Sequence, residues 1–322
     1  MVTESTEPLR VSVIIAARNA ARTLGAQLEA LSRQSFQGWW ELIVVDNGSI
    51  DDTAKVAEAW RTQLPCLHIM DAPSARGSAG ARNAGAVAAR GDVLLFCDAD
   101  DVATPTWILE MVSAARSADI VGGYRDFHPL NTPRARSWRA PIPPHRLPMA
   151  LGHLPYVPTS CLGVRAETFH SLGGFNEDHV GTCYDVDFCW RAQLASYTIS
   201  FAPDAVMHYR LRDRFWPMIK QAYGYGRDTA QLIRDFRPYG LSAVSALNAA
   251  EGWYKTLCRV LRSDVDRGQS WFMVAGIAGQ LAGSISYRGP YLQRDSSSKT
   301  GNNVVEFACS VGKWLRALIT RR

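Results

Sequence analysis

The run Gly91-Asp92-Val93-Leu94-Leu95-Phe96-Cys97-Asp98-Ala99-Asp100-Asp101 constrains this chain more than any other segment. Its apolar stretch suits a buried strand, and it stops abruptly at three carboxylates, with Pro105 soon after. Bare carboxylates are costly to bury, so such a cluster at a strand end belongs in a solvent-facing crevice. Asp98 and Asp100 stand two residues apart and project to one side if the chain stays extended. Oxygen ligands so placed suit a hard divalent cation, and such a cation suits a phosphorylated ligand. A polar turn that merely closes a strand is the competing reading, and the run alone leaves both open.

The segments around it repeat one pattern. Residues 9–17 (LRVSVIIAA) read as a first buried strand, followed by an amphipathic helix near residues 22–33. A second strand, 40–45 (WELIVV), runs into Asp46-Asn47-Gly48-Ser49, and Asp51, Asp52 and Thr53 open a helix reaching about Arg61. Residues 67–70 form a third strand, a small-residue segment at 72–85 leads into a helix, and 93–96 is the fourth strand. Strands alternating with helices predict an α/β fold, with a parallel sheet covered on both faces. The prolines and arginines of 128–158 predict a long loop. A helix is expected over 185–194 and a short strand over 197–201, from which 203–208 leads away. Beyond about residue 228 the pattern is helical.

The chain, at 322 residues, is long enough for one large α/β domain and an appendage. Its seven cysteines show no CxxC pair, which points to reduced structural thiols in a cytoplasmic protein. Residues 1–8 are polar and carry no apolar signal segment. Charge is divided unevenly. Residues 1–120 carry 10 basic and 15 acidic side chains, and the remainder carries 25 basic and 15 acidic, so a net −5 precedes a net +10. The basic part is compatible with phosphates, an anionic acceptor or an anionic membrane surface. The lack of zinc-finger spacing, RNP motif or dense basic stripe argues against nucleic acid as a partner, and none is expected. Residues 269–287 are uncharged up to Tyr287 but diluted by Gln, Ser and Gly, and fall short of a spanning helix. Residues 304–319 have an amphipathic pattern open to two readings, a membrane surface or packing on protein.

Four segments occur in order: Val11-Ser-Val-Ile-Ile, Val44-Val45-Asp46-Asn47-Gly48-Ser49-Ile50-Asp51-Asp52-Thr53, Ser78-Ala-Gly-Ala-Arg-Asn-Ala-Gly85 and Asp98-Ala99-Asp100-Asp101. Leu172-Gly-Gly-Phe-Asn-Glu177, Asp185-Val-Asp187 with Arg191, and Pro203-Asp204-Ala205-Val206-Met207-His208 follow. The ordered set resembles the GT-A-type inverting glycosyltransferases of family 2 over about residues 9–227. The resemblance implies a GT-A, Rossmann-like, mostly parallel central sheet with flanking helices, to which this chain adds a helical C-terminal region at 228–322. It implies a donor half at 9–120 and an acceptor half at 121–227. The donor would be a UDP-, GDP- or dTDP-linked sugar, the cofactor Mg²⁺ or Mn²⁺, and the acceptor a carbohydrate or lipid-linked molecule in cell-surface polysaccharide or glycolipid assembly. That places the protein in the cytoplasm, with the inner face of the membrane as a candidate site of work.

By the same resemblance Ala17, Arg18, Asp46, Arg82, Asp98 and Asp100 bind the donor. Asp46 faces the nucleobase, Asp98 the ribose, and Asp100 and His208 the metal at the diphosphate. Arg82, read as lying behind a Gly-rich turn, suits phosphate or base contacts, and Asp101 supports its loop. Asp185 is the candidate base that takes the acceptor's proton, although a helix N-terminus should hold it as a stable anion. The family's usual pair here is Glu-Asp; Tyr184-Asp185 stands instead. That departure sustains one alternative, a sugar-nucleotide-binding or assembly protein with a decayed acceptor site. Asp187 and Arg191 are spaced for a structural pair, and Tyr223-Gly-Tyr-Gly-Arg227 for helix packing or sugar stacking. Other enzyme classes fit poorly. No GxGxxG follows the first strand, no Gly-rich Arg-containing nucleotidyltransferase loop stands there, and no later GDxxxD accompanies Asp98 as a haloacid-dehalogenase-type phosphatase requires.

Overall fold

Strand β1 (Val11–Ala17) is buried on both faces, with Val11, Val13, Ile15 and Ala17 in one apolar cluster and Ile14 in another. The same alternation holds in β2 (Trp40–Asp46), where Leu42 and Val44 oppose Ile43 and Val45, and in β4 (Val93–Asp98), where Val93, Leu95 and Cys97 oppose Leu94 and Phe96. Such two-sided burial requires a layer of helices on each face. The computed structural model describes residues 8–64, 66–139, 144–179, 181–241 and 267–287. Within it the chain divides into two compact units, the first made of residues up to 130 with 142–180 and 184–210.

The first unit is built on an eight-stranded sheet ordered β3-β2-β1-β4-β9-β6-β10-β5. The further strands are β3 (Leu67–Asp71), β5 (Val102–Ala103), β6 (Ile120–Asp126), β9 (Leu162–Arg165) and β10 (Ile199–His208); β7 (Met149–Ala150) and β8 (Leu154–Pro155) pair apart. Strands β3, β2, β1 and β4 run parallel, as do β6 and β10, whereas β9 and β5 are antiparallel to their neighbours. The sheet is therefore mostly parallel and not wholly so. Helix α1 (Leu24–Ser32) buries Leu24, Leu28 and Leu31, the i, i+4, i+7 stripe of an amphipathic helix. With α4 (Trp107–Ala114), which buries Trp107, Ile108, Met111 and Val112, it feeds the first cluster. Residues of α3 (Gly77–Ala88), α6 (Ala166–Ser171) and α7 (Tyr184–Leu194) feed the second. Helix α2 is Thr53–Glu58.

Three elements differ from the reading above. The Gly- and Ala-rich segment is itself most of helix α3. Its small residues permit close helix–sheet packing: a Cβ on Gly85 would lie 2.6 Å from Ile14 Cγ2 and 3.0 Å from Val45 Cγ2. Residues 199–208 form one strand that continues through Pro203, with a register shift between Ala202 and Val206. The proline sits at that irregularity, where a missing N–H costs no ladder bond. The stretch 128–158, expected as a long loop, carries α5 (Pro133–Ser137), β7 and β8.

The second unit comprises residues 131–141, 181–183 and everything from Leu211 onward. Its described helices include α8 (Phe215–Phe236), which runs through residue 227, and α9 (Arg267–Ser286). They meet at near backbone contact: a Cβ on Gly226 would lie 1.7 Å from the Gly276 carbonyl oxygen, and one on Gly279 1.9 Å from that of Tyr223. The Tyr223–Arg227 segment thus takes part in helix packing. No described helix is long and apolar enough to cross a membrane, and the amphipathic pattern at 304–319 lies outside the described residues.

The Gly85 contact yields a direct expectation. Substitution Gly85→Val forces the β-branched side chain into Ile14 and Val45, with a loss of about 1–3 kcal/mol. At Gly224, in α8, nothing lies within 4 Å of an added Cβ. Substitution Gly224→Ala there is expected to stabilise by about 0.5–1 kcal/mol. Thermal unfolding of both variants checks the pair, and equal behaviour would contradict the packing described.

Candidate active site

The carboxyl ends of β1, β2 and β4 bring the expected donor residues to one edge of the sheet. Register pairs Ala17 with Asp46 across β1 and β2, and Ala16 with Asp98 across β1 and β4. Asp46 is buried, and its Oδ1 accepts the Ser49 backbone N–H at 2.8 Å, so it shapes the Asp46–Ser49 turn. Its second oxygen has no hydrogen-bond partner among the described residues. The Ala17 carbonyl accepts from Asn47 N at 2.9 Å, while the Arg18 side chain is exposed beside it. The two loops are laced together by Asn19 N donating to Ser49 Oγ and Ile50 N donating to Asn19 Oδ1, each at 2.9 Å.

Strand β4 ends at Asp98, and the chain turns at Ala99 and Asp100 rather than staying extended. The turn is braced from several sides. Asp101 is fully buried, and its Oδ1 accepts the Arg210 N–H at 2.8 Å, while Arg210 Nε donates to the Asp100 carbonyl at 2.8 Å. Burial pushes the Asp101 carboxyl well above the usual carboxylate range, and the nearby Asp98 and Asp100 push it further. Downstream, Gln27 of α1 accepts the Ala103 N–H at 2.9 Å, and Gln34 accepts that of Ile108 at 2.9 Å. His208, at the end of β10, pairs in register with Val102 of β5, two residues beyond Asp100.

Arg82 lies in the middle of α3 rather than at a turn, and only 3% of it is exposed. Its guanidinium forms an ion pair with Asp98 Oδ1 and donates to the Tyr184 hydroxyl at 2.6 Å. That hydroxyl also lies 3.1 Å from Ser78 Oγ, a donor to it, and 3.3 Å from Thr159 Oγ1. Arg82 therefore stands in the middle of a helix against Asp98 and Tyr184, not behind a Gly-rich turn as the sequence suggests. Tyr184, which departs from the expected Glu, receives the guanidinium as a neutral acceptor, leaving more of the Arg82 charge to Asp98. No local signal marked this contact, since the partners are 102 residues apart.

Asp185 follows in the first turn of α7. Its Oδ1 accepts the Val186 N–H at 2.9 Å, and Oδ2 faces the Thr159 N–H at 3.4 Å. Shielding from water nevertheless raises its carboxyl above the ordinary aspartate value, outweighing those N–H groups and the charges of Arg125 and Arg82. Desolvation thus outweighs the stabilisation expected from the helix terminus, and a raised value favours proton acceptance. Asp187 and Arg191 do form a pair, at 2.8 Å. Arg191 also donates to the carbonyls of Leu172 and Gly174, at 2.7 and 2.8 Å, tying α7 to a turn in which Gly174 has φ +71°.

Among the described residues no three His, Cys, Asp or Glu side chains are grouped to hold a metal by themselves. A cation at the β4 end would draw most of its ligands from substrate phosphates and water, as Mg²⁺ commonly does. The hard oxygens of the Asp98–Asp101 turn suit that chemistry, with Asp100 and His208 the residues that would hold it.

Comparison with known proteins accords with this geometry. The Glycosyl transferase family 2 model matches residues 12–173, and that of Glycosyl transferase family group 2 matches residues 93–278. The chain is 29% identical over 225 residues to Glycosyltransferase AglE of Haloferax volcanii, spanning 69% of this chain and 73% of that one. It is 27% identical over 240 residues to the Pre-mycofactocin glycosyltransferase of Mycobacterium tuberculosis, covering 69% of this chain but 47% of that one. Among solved structures, the mannosyltransferase PcManGT of Pyrobaculum calidifontis, in complex with GDP-Man and Mn²⁺, superposes with a TM-score of 0.55 at 20% identity, covering 98% of this chain and 84% of that one. Residues 1–349 of S. aureus TarS, in complex with UDP-GlcNAc, give a TM-score of 0.53 at 17% identity, covering 98% and 93%. These two likenesses speak for the fold, which is GT-A-like. A family match over half the chain, together with strand-end carboxylates in the expected order, makes this protein a member of glycosyl transferase family 2, and hence a glycosyltransferase.

Proposed function

We propose that this glycosyltransferase moves a sugar from a nucleoside diphosphate to an acceptor hydroxyl by one in-line displacement that inverts the anomeric centre. The observation that carries the reading is the placement of Asp98 and Asp185 around one buried arginine: Arg82 pairs with Asp98, and its other partner, Tyr184, immediately precedes Asp185. Binding of nucleotide sugars by the similarly folded proteins supports the donor class.

In this reading Asp46 accepts hydrogen bonds from the nucleobase with its open oxygen, beside Ala17 and Arg18 at the mouth. Asp98 meets the ribose while Arg82 fixes its carboxylate. Asp100 and His208 would hold Mg²⁺ or Mn²⁺, which when bound neutralises the charge of the departing diphosphate. Asp185 accepts the proton of the acceptor hydroxyl as that oxygen attacks the anomeric carbon. Its raised carboxyl makes it a better base than an ordinary aspartate, and the Thr159 and Val186 N–H groups aim it. Tyr184 has a structural partner in Arg82, so its presence does not argue for a decayed acceptor site. The acceptor is a carbohydrate or lipid-linked molecule, the class implied by the family resemblance.

Release of nucleoside diphosphate from a panel of UDP-, GDP- and dTDP-sugars tests the donor half. Mn²⁺-dependent hydrolysis of one donor is expected, with a loss of about 100-fold or more in Asp100→Ala. Equal rates in the two proteins would refute the metal assignment. The base has its own signature. Transfer falls by about 10²–10⁴-fold in Asp185→Asn. In the parent, kcat/KM rises with pH along a limb centred above the ordinary aspartate value, because the active form is the carboxylate and burial raises its pKa. Full activity in Asp185→Asn, or a limb at the unperturbed value, would remove Asp185 from the role.

A further inference from the structure

Arg125 is a cation that the donor reading leaves unused. It stands near the carboxyl end of β6, in register with Met207 and one residue before the Asp126–His208 pair. Two rings cradle its guanidinium: the Tyr209 centroid lies 5.2 Å from Cζ and the Phe127 centroid 6.0 Å, and the rings are 5.4 Å apart. No acceptor among the described residues makes a hydrogen bond or ion pair with it. The side chain is only partly buried, so its planar fork of five N–H donors is held by aromatic faces and remains available.

The backbone shows which way the side chain goes. Two residues earlier, a Cβ on Gly123 would lie 2.3 Å from Cys161 Sγ. Alternate residues of a strand share a face, so Arg125 projects to the face that carries the Thr159–Cys161 turn. That same turn presents the Thr159 N–H to Asp185. The charge of Arg125 accordingly bears on Asp185, Asp101 and the Cys161 thiol. The residues assigned to the donor lie at the ends of β1, β2 and β4, and β9 stands between β4 and β6. Arg125 is thus separated by β9 from those strands and, beside the Thr159–Cys161 turn, lies on the side of the proposed base, with the metal residue His208 next to it on β10.

We propose that Arg125 is the oxyanion-binding residue of the acceptor subsite, so that the acceptor carries a carboxylate or phosphate near the hydroxyl that attacks. A guanidinium fork pairs with two oxygens of either group at once, which fixes orientation as well as position. A fixed cation is also needed there, because Asp98, Asp100 and Asp185 would otherwise repel an anionic acceptor. The inference deepens the functional reading above and rests on Asp185 as the base.

The test uses the full chain with the donor found by the hydrolysis panel and Mn²⁺. Three acceptor probes are compared: methyl glucoside, methyl glucuronide and glucose 6-phosphate. The parent is expected to favour at least one anionic probe over the neutral one by about tenfold or more in KM, and the identity of that probe tells carboxylate from phosphate. In Arg125→Gln the preference vanishes, while donor KM stays within about twofold; Arg125→Lys keeps the charge but not the fork and retains part of the preference. Three results would overturn the proposal: no anionic preference in the parent, a preference that survives Arg125→Gln, or a loss of donor affinity as large as the loss of acceptor affinity. Should Arg125→Gln not fold, Arg125→Lys and the parent's probe preference still decide. Asp185→Asn in the same assay separates the two readings. Full transfer by that variant defeats the base assignment whatever Arg125 does, whereas its inactivity beside an indifferent Arg125→Gln defeats only the acceptor subsite.

Discussion

A buried guanidinium cannot be left without partners, and in this protein that rule organises the site around Arg82. The side chain leaves the middle of α3 and is shielded from water, so its charge must be met by the groups it reaches. Those groups are Asp98, the last residue of β4, and the Tyr184 hydroxyl, on the first residue of α7. Removing one partner of a buried pair typically costs about 3–5 kcal/mol. The end of β4 and the start of α7 are therefore held by one interaction. Thr159 completes the arrangement, with its hydroxyl near Tyr184 and its N–H toward Asp185.

The parts of the fold that could be read from sequence are those where one local pattern has one physical meaning. Strands β1, β2 and β4 are continuous apolar runs because both faces are buried, and each ends in a polar turn because the chain emerges there. Strands β6 and β9 carry no such local pattern, and their glycines show why. Side chains from elsewhere fill the space: a Cβ on Gly122 would meet Leu147 and Val157 at 2.5 and 2.7 Å, and one on Gly163 would meet Leu95 at 2.9 Å. Glycine lowers the local strand signal while tertiary packing demands it. The same conflict masks most of α3, whose Ala, Gly and Ser residues read as a small-residue segment leading into a helix but are small because the helix lies close on Ile14 and Val45. In β10, Pro203 suggested an end where the strand only shifts register.

The candidate site divides in the same way. Asp46, Asp98 and Asp100 are legible because strand ends converge in a parallel sheet, and position along the chain then gives position in space. The partners of Arg82 are not legible, since Tyr184 lies 102 residues away and no spacing rule joins them. Arg125 is not legible for a related reason: its setting depends on the two rings beside its guanidinium and on the face that Gly123 reveals. The direction in which Asp185 shifts is not legible either, because a helix terminus can be read from sequence whereas desolvation cannot, and here desolvation is the larger effect.

The proposed reaction is a single displacement assisted by one base. The stereochemistry of donor hydrolysis tests this without knowledge of the natural acceptor. Proton NMR during Mn²⁺-dependent hydrolysis of an α-linked nucleoside-diphosphate sugar follows the anomeric proton of the released sugar before mutarotation. The β-anomer as the first product is the result expected of direct attack by water in place of the acceptor hydroxyl. An α-anomer formed first would contradict the in-line mechanism and, with it, the role assigned to Asp185.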